Sequence, residues 1–477
     1  MRVIVFALNG CPAGWLGAYG NDWVGTPHLD RLAAEAVTFD RHISDRPHPD
    51  AARRAWLGLP SPPEAADLPP GPLSEGRGSE DRSEPRPEPD GPGVGAELPL
   101  PSGRGPGGGL SFFPHTVLVR ANHPDTDGPD WFYAGWGEVF DARPQPDDNS
   151  SLEELIRALP ALLERLRDVP DFLLWIETDR LLPPWDVQQD VFEAYLDDSE
   201  EEPEPQAEER EPHEGADDEA DGDEDGDEEP DDEPEDEPPG EEPDAPRAEE
   251  PEEPVEPFAD PPTGPFDRKD LDLWDWLHKT FAAVVTKLDA ELGALFGLLR
   301  AEGLDRSAAW VVTSDFGYPL GEHGQVGLFR PWLHQELVHL PLFLRLPGAE
   351  QAGRRVSGFT QPPDIFPTLL ELFGAPLPAD VRGFGLLPLA RGQAEPKRGL
   401  VTTELDLGGA AEIALRTEDW ALLVPTRAPE GDPPREPLLY EKPDDRWEVN
   451  DLRVRNIERA DDLEALLREE IRRRDHG

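Results

Sequence analysis

The run Asp197–Glu256 limits the possible fold more than any other feature of this 477-residue sequence. It holds 34 acidic and only 2 basic residues, and so carries −32 of the formal charge of −59. Charge repulsion and frequent prolines prevent such a tract from burying enough apolar surface to fold. A second run, at 60–109, is rich in proline, glycine and serine and has no aromatic residue. We therefore predict two disordered inserts, at 60–109 and 197–257.

Strand and helix patterns alternate in the rest of the chain. Apolar runs of strand length lie at 3–8, 172–176 and 308–313, as expected for strands buried on both faces of a parallel sheet. At 271–299, apolar residues recur at steps of three and four, which predicts a long helix with one buried stripe. This alternation favours an α/β fold, a mostly parallel sheet sandwiched by helices.

The α/β domain is expected to comprise 1–59, 110–196 and 258–398. Within it, Thr26 before Pro27 is typical of an N-cap followed by a first-turn proline, so a helix should begin there. The remaining segment, 399–477, contains four short strand patterns and then a charged helix that ends near Arg474. We expect a small C-terminal sheet and helix.

Charge and cysteine content bear on partners and compartment. An acidic surface repels nucleic acid and anionic lipid, so we expect neither as a partner, and the acidic tract favours a basic protein or cations. Cys11 is the single cysteine, which excludes an intrachain disulfide and a cysteine-based zinc site. The first apolar run is too short for a signal peptide, and no stretch reaches membrane-spanning length. These observations predict a soluble, cytoplasmic protein.

Polar residues follow the predicted strands. In parallel sheets, ligands bind at the carboxyl ends of the strands, which meet at one edge. The residues expected at that edge are Asn9, Gly10, Glu177, Asp179 and Asp315.

Separated motifs occur in order along the chain: T-P-H-L-D-R-L at 26–32, T-S-D-F-G at 313–317, G-E-H-G at 321–324 and D-I-F-P-T-L-L at 364–370. With the first strand and its N-G end, they resemble the sulfatase family, within the alkaline-phosphatase-like superfamily. The resemblance covers most of the chain outside the two inserts. It implies a hydrolase fold in which the C-terminal strands form a small antiparallel sheet.

The resemblance also implies a cation site. Family members bind a divalent cation with two consecutive carboxylates after strand one and with an Asp followed by His or Asn. Here the pairs are Asn9-Gly10 and Asp315-Phe316, which leaves one carboxylate. Calcium takes about six to eight oxygen ligands. We therefore expect no cofactor, or calcium only if the family site is partly retained at an orphan Asp315.

The family nucleophile is a formylglycine made from the Cys or Ser of C-x-P-x-R, or a Ser or Thr in phosphatase relatives. The matching stretch places Pro49 at the nucleophile and Arg53 at the motif arginine. A shift of one residue places Asp50 and Arg54 there instead. Proline cannot attack, and a carboxylate is a poor attacker of an anionic ester. The C-P-A run at Cys11 lacks the arginine, and we interpret this cysteine as a small buried residue.

Two other groups implied by the resemblance are replaced. Leu182 stands where the family presents a histidine to the leaving group, and Arg330 follows G-E-H-G in place of a lysine. Arg53, Arg54, Asp315 and His323 are then either an anion-binding remnant or framework residues.

These losses indicate a pseudoenzyme, a sulfatase-like binding or scaffold protein. The alternative is an active sulfate or phosphate ester hydrolase with a non-standard site that uses Asp50, His48 or His323. A third hypothesis makes the acidic tract the functional part and the fold its carrier.

Two metal-like patterns carry less weight. The segment 221–226 with Asp232 resembles an EF-hand loop, but Pro230 interrupts it and an acidic tract matches such patterns by chance. His323, His334 and His339 could suggest zinc, although irregularly spaced histidines are usually hydrogen-bonded structural residues.

Overall fold

The computed structural model describes residues 1–60, 108–123, 128–143, 151–196, 255–429, 431, 433 and 435–476. Nearly all of both predicted inserts, together with the EF-hand-like segment, lies outside these ranges. The 3-10 helix Gly108–Phe112 begins at the end of the first predicted insert.

The strands and helices of the described residues follow the predicted alternation. The strands are β1 (Arg2–Leu8), β2 (Val37–Ile43), β3 (Thr116–Arg120), β4 (Glu138–Asp141), β5 (Phe172–Thr178), β6 (Gly264–Pro265), β7 (Ala308–Thr313), β8 (Gln325–Val326), β9 (His339–Leu340), β10 (Leu342–Arg345), β11 (Arg355–Thr360), β12 (Leu400–Asp406), β13 (Ala411–Thr417), β14 (Trp420–Arg427) and β15 (Leu438–Glu441). The helices are α1 (Pro27–Ala34), α2 (Pro49–Trp56), α3 (Asp130–Tyr133), α4 (Ser151–Leu166), α5 (Gln189–Glu193), α6 (Leu271–Ala301), α7 (Leu304–Ser307), α8 (Gln335–Val338), α9 (Ile365–Phe373), α10 (Leu387–Ala390) and α11 (Ile457–His476).

The large sheet has the order β11-β2-β10-β7-β1-β5-β3-β4, with β9 beside β2. β1 pairs in parallel with β5 and β7, whereas β10 is antiparallel to both of its neighbours. Apolar clusters cover both faces of this sheet. The predicted α/β fold with a mostly parallel sheet is confirmed.

The C-terminal strands form a separate antiparallel sheet in the order β12-β13-β14-β15. Helix α11 packs on it through Leu463 and Leu467, which contact the cluster of Leu415, Leu422 and Leu439. The predicted small antiparallel sheet is therefore confirmed. All elements belong to one compact unit, made of Met1–Leu196 and Pro257–Gly477.

Helix α6 is buried more widely than the predicted single stripe. Lys279, Lys287, Asp289 and Glu291 are buried together with the apolar positions. The reason is that α1, α4 and α5 all pack against α6. Trp274, assigned to the stripe, is partly exposed near the start of the helix.

The start of α1 follows the prediction, but its capping does not. Thr26 makes no side-chain cap bond, because its hydroxyl instead accepts from the Gly17 N–H. The helix is capped by Asp289 of α6, whose carboxylate accepts from the backbone N–H groups of His28 and Leu29 at 3.0 and 2.7 Å. A remote carboxylate thus satisfies N–H groups that a helix start leaves open.

None of the helices in the described ranges combines the length and the apolar character that crossing a lipid bilayer requires.

Candidate functional site

The register of the large sheet brings three polar residues together at one edge. Leu8 lies opposite Thr178 in β5, and Ala7 lies opposite Thr313 in β7, so Asn9, Glu177 and Asp315 meet where these strands end. Asn9 Nδ2 donates to Glu177 Oε1 at 2.9 Å. All three side chains are buried.

Helix α2 adds a charge to this edge. Arg53 is 4% exposed, and its Nε and Nη2 lie 2.9 and 2.7 Å from Glu177 Oε1. Its guanidinium also lies over the Phe132 ring, 5.0 Å from the centroid. Burial opposes the charged form, but the charge of Glu177 and its hydrogen bond raise the pKa of Arg53 above its usual value. Arg53 and Glu177 therefore form a buried, mutually neutralising ion pair.

The start of α2 fixes the position of Arg53. His48 is the N-cap, and its Nδ1 accepts from the Asp50 N–H at 3.3 Å. Pro49 occupies the first turn, where its missing N–H costs nothing. One turn later, Ala52, Arg53 and Trp56 are buried.

Asp315 is held by backbone donors. Its Oδ1 accepts from the N–H groups of Gly10 and Phe316 at 3.0 and 2.8 Å, while Oδ2 has no partner among the described residues. Burial raises the pKa of Asp315 to about 7, although those hydrogen bonds and the charge of Arg53 act in the opposite direction. The carboxyl therefore binds a proton far more readily than an ordinary aspartate.

Gly10 is sterically enclosed. Its φ is +78°, a conformation that favours glycine. A Cβ at this position would lie 2.4 Å from Leu182 Cδ2. The side chain of Leu182 thus fills the space that any side chain at residue 10 would need.

Comparison with known proteins identifies the family. The family model described as Sulfatase matches residues 114–375, which is more than half of the chain. The chain belongs to the sulfatase family.

Curated sulfatases match over a shorter stretch. Arylsulfatase K of Canis lupus familiaris is 33% identical over 128 residues, which cover 27% of this chain and 23% of that protein. N-acetylglucosamine-6-O-sulfatase of Bacteroides thetaiotaomicron is 30% identical over 133 residues, covering 27% and 24%. The chain thus spans about a quarter of the length of these relatives.

Solved structures share the fold over the whole chain. A 2-O GAG sulfatase superposes with a TM-score of 0.61 at 17% identity, covering 99% of this chain and 92% of the other. Phosphonate monoester hydrolase of Agrobacterium radiobacter gives 0.57 at 16%, covering 100% and 96%. At such identities the likeness shows the sulfatase-like fold alone.

The oxygens at the sheet edge do not fit the divalent cation that the sulfatase family implies. Within the set Asn9, Glu177 and Asp315, two side-chain oxygens, Asn9 Oδ1 and Asp315 Oδ2, are buried without a partner among the described residues, whereas a calcium site takes about six to eight oxygens. The charge facing them is already a cation, the Arg53 guanidinium. In the described part of the chain, no group of three or more His, Cys, Asp and Glu side chains is arranged to hold a metal ion.

The resemblance to sulfatases places Pro49 or, in the shifted register, Asp50 at the nucleophile position. Pro49 lies in the first turn of α2. In the shifted register, the carboxylate of Asp50 accepts from Arg54 Nε at 2.8 Å and from Trp131 Nε1 at 2.9 Å, so both of its oxygens are engaged. Cys11 is buried, and burial raises the pKa of its thiol far above the usual range.

The three histidines considered as zinc ligands lie in two separate places. The rings of His323 and His334 stack with centroids 3.6 Å apart. They bind Glu336 and Glu448 respectively, at 2.7 and 3.2 Å. His339 instead contacts Gln335 through Nδ1 and donates from Nε2 to the Asp40 carbonyl at 2.8 Å, so the three do not converge as zinc ligands would.

His323 is held in its charged form. Burial opposes this, but the hydrogen bond and charge of Glu336 raise the pKa of His323 to about 9. His48, by contrast, is buried, and burial lowers its pKa. The predicted lysine substitute, Arg330, lies over the Phe329 and Trp332 rings.

Glu177 was predicted at the sheet edge, but no role was assigned to it from the sequence. It is the residue that binds both Asn9 and Arg53. The sequence signal for Glu177 was its position at the end of β5, the strand that pairs with β1. Asp179, two residues on, accepts from the His123 N–H.

Proposed function

We propose that this member of the sulfatase family is a pseudoenzyme, a binding or scaffold protein without sulfuric ester hydrolase activity. The observation that carries the proposal is the pairing of Arg53 with Glu177. A buried arginine whose charge is cancelled by an internal carboxylate does not offer that charge to an anionic ester. Pro49 at the start of the same helix supplies no nucleophile.

The groups that an unorthodox hydrolase would need are already engaged. Asp50 is held by Arg54 and Trp131, and His48 Nδ1 caps the helix. A general base must be unprotonated at working pH, whereas His323 is paired with Glu336 and protonated at neutral pH. For any one of these residues to act in hydrolysis, its own contact would therefore have to break.

We further propose that the site functions without a divalent cation. Asp315 stays neutral below about pH 7 because it is buried, and the charges of Arg53 and Glu177 cancel each other. Neither Asp315 nor Arg53 therefore needs a bound metal ion to balance its charge.

The decisive experiment measures turnover and metal content on the same preparation. Purified full-length protein is assayed with aryl sulfate and aryl phosphate esters and analysed for bound calcium and zinc. We expect turnover equal to that of the Pro49→Gly variant, and less than stoichiometric metal. Stoichiometric calcium, or turnover that Asp315→Ala abolishes, would contradict the proposal.

The acidic tract is proposed to contact a basic protein or cations. Its 34 carboxylates support this through long-range attraction that salt screens. Deleting 199–254 should markedly weaken retention of a polylysine probe at low salt, because the rest of the chain keeps a smaller negative charge. Unchanged retention would exclude the tract as the functional part.

Residence in the cytoplasm is proposed on the single cysteine of the sequence, which needs no oxidising compartment. Fluorescent tagging of the full chain in its own cells would test this.

A further inference from the structure

A pocket of about 260 Å³ outside the site at Asp315 is lined by five basic side chains. They come from distant parts of the chain, namely β2, β11, β13 and the segment after β15. They are Arg41, Arg355, Arg416, Lys442 and Arg446. A cluster of basic side chains is unexpected in a chain with a formal charge of −59. Neither Arg53 nor Glu177 lines this pocket.

Acidic residues balance only part of this charge. Asp40 pairs with Arg355 at 2.5 Å, while Glu418 lies 3.8 Å from Arg41 and is 79% exposed, which makes that pair weak. Glu448, behind the pocket, is shared by Arg416 and Lys442 at 3.0 and 3.1 Å. Three carboxylates therefore face five cations.

Arg416 is the residue that argues most directly for an anionic ligand. It is 3% exposed, and its Nη2 donates to the Leu333 carbonyl and to Glu448 Oε1. Its Nε and Nη1 have no hydrogen-bond partner among the described residues. An unsatisfied buried donor costs about 1–3 kcal/mol, more when charged, so an acceptor is expected beside this guanidinium.

The electrostatic field in the pocket has the matching sign. Burial, the largest cause, and the charges of Arg446, Lys442 and Arg416 together lower the pKa of His339 to about 4, although its hydrogen bond to the Asp40 carbonyl acts in the opposite direction. Burial and Arg416 lower the pKa of Lys442 as well. The contributions from the neighbouring arginine and lysine charges show that a further cation is disfavoured here, which agrees with the excess of basic side chains in the lining.

We propose that this pocket binds a small molecule carrying one oxyanion group, a carboxylate, sulfate or phosphate. An oxyanion accepts hydrogen bonds without donating any, and it matches the fork of a guanidinium. Ile43 and Phe359 add an apolar wall, and the volume suits a compact ligand better than a polymer. This site is independent of whether the protein hydrolyses esters.

Isothermal titration of the full chain tests the proposal. Sulfate, inorganic phosphate and phenyl phosphate are titrated separately at constant ionic strength set with sodium chloride. We expect saturable one-site binding of at least one probe. Stronger binding of phenyl phosphate than of inorganic phosphate indicates an organic anion, and the reverse order indicates a free ion.

Matched variants locate the binding. Arg41→Gln with Arg446→Gln, both partly exposed, should weaken binding at least tenfold. Arg391→Gln with Arg427→Gln, exposed arginines that pair with carboxylates elsewhere, should leave it unchanged. Arg416→Gln should abolish binding, with circular dichroism as the check that it folds.

Three outcomes overturn the proposal. They are no saturable binding of any probe, equal loss in both double variants, and binding seen only after deletion of 199–254. The last would mean that the chain's own acidic residues, not a small molecule, are the occupant.

Discussion

Asp315 and Arg53 show how burial changes the chemistry of single residues at the sheet edge. The carboxyl is buried beside two backbone donors, and the guanidinium is buried against Glu177. Both arrangements can be tested by measuring the free energy of unfolding of variants. A buried charge is stable only when its partner is in place.

Asp315→Asn should stabilise the protein increasingly as pH rises from about 4 to 7. The folded pKa of about 7 lies above the ordinary 3.8, so the native protein binds the extra proton and loses stability as pH rises through that window. Asparagine keeps an oxygen for Gly10 and Phe316 but does not titrate. The gain should reach at most about 4 kcal/mol and level off above pH 7. Urea unfolding at pH 5, 6, 7 and 8 measures it, and a difference that does not change with pH would contradict the assignment.

Breaking the Arg53–Glu177 pair should be costly. Arg53→Met or Glu177→Gln alone should each lower the free energy of unfolding by about 3–5 kcal/mol, since each leaves one buried group unpaired. The double variant should cost less than the sum of the two. Arg54→Met with Asp50→Asn is the control, a partly exposed pair expected to change stability by about 1 kcal/mol or less. Strict additivity in the test cycle would exclude the pairing.

At the scale of elements, helix α6 organises its neighbours through one polar residue. Asp289 is buried, and its carboxylate accepts hydrogen bonds from two backbone N–H groups at the start of α1. The interaction links two helices that are distant in sequence.

Asp289→Ala should lower the free energy of unfolding by about 1–3 kcal/mol, because two N–H groups lose their acceptor. Asp272→Ala, at an exposed position of the same helix, should change it by about 0.5 kcal/mol or less. Chemical denaturation measures both. Similar effects of the two variants would mean that the cap contributes nothing.

The strands and helices could be predicted from the sequence, but the side-chain contacts between them could not. Periodicity predicted β1, β5, β7 and α6 because local patterning reflects burial. The capping of α1 by Asp289 and the pairing of Arg53 with Glu177 join residues more than a hundred positions apart. No local pattern encodes such pairings, so the Thr26 cap and the single stripe on α6 were inferred incorrectly.

At the scale of the whole molecule, His323 joins the α/β part to the C-terminal part. Its ring nitrogens contact Glu336 and the Glu448 carbonyl. Glu448 in turn binds Arg416 of β13 and Lys442, so hydrogen bonds and ion pairs connect helix α8 and the loop that carries His323 to the C-terminal sheet.

Stability should therefore fall as pH rises above about 6.5. The folded pKa of His323, about 9, lies above the ordinary 6.5, so its contribution is complete below pH 6.5 and is lost as pH rises through about 9. We expect His323→Gln to remove about 2–3 kcal/mol at pH 6 and little at pH 10. Thermal unfolding across that range tests this, and a constant loss would assign the effect to packing alone.

The position of β1 between β5 and β7 has a consequence for the integrity of the chain. β5 precedes the acidic tract and β7 follows it, so the central strands of one sheet come from both sides of that tract. A protease site engineered within 199–254 would, once cut, leave two polypeptides joined only by backbone hydrogen bonds and side-chain packing. The protein can thus be regarded as a covalently tethered heterodimer, whose halves should also assemble when expressed as separate chains.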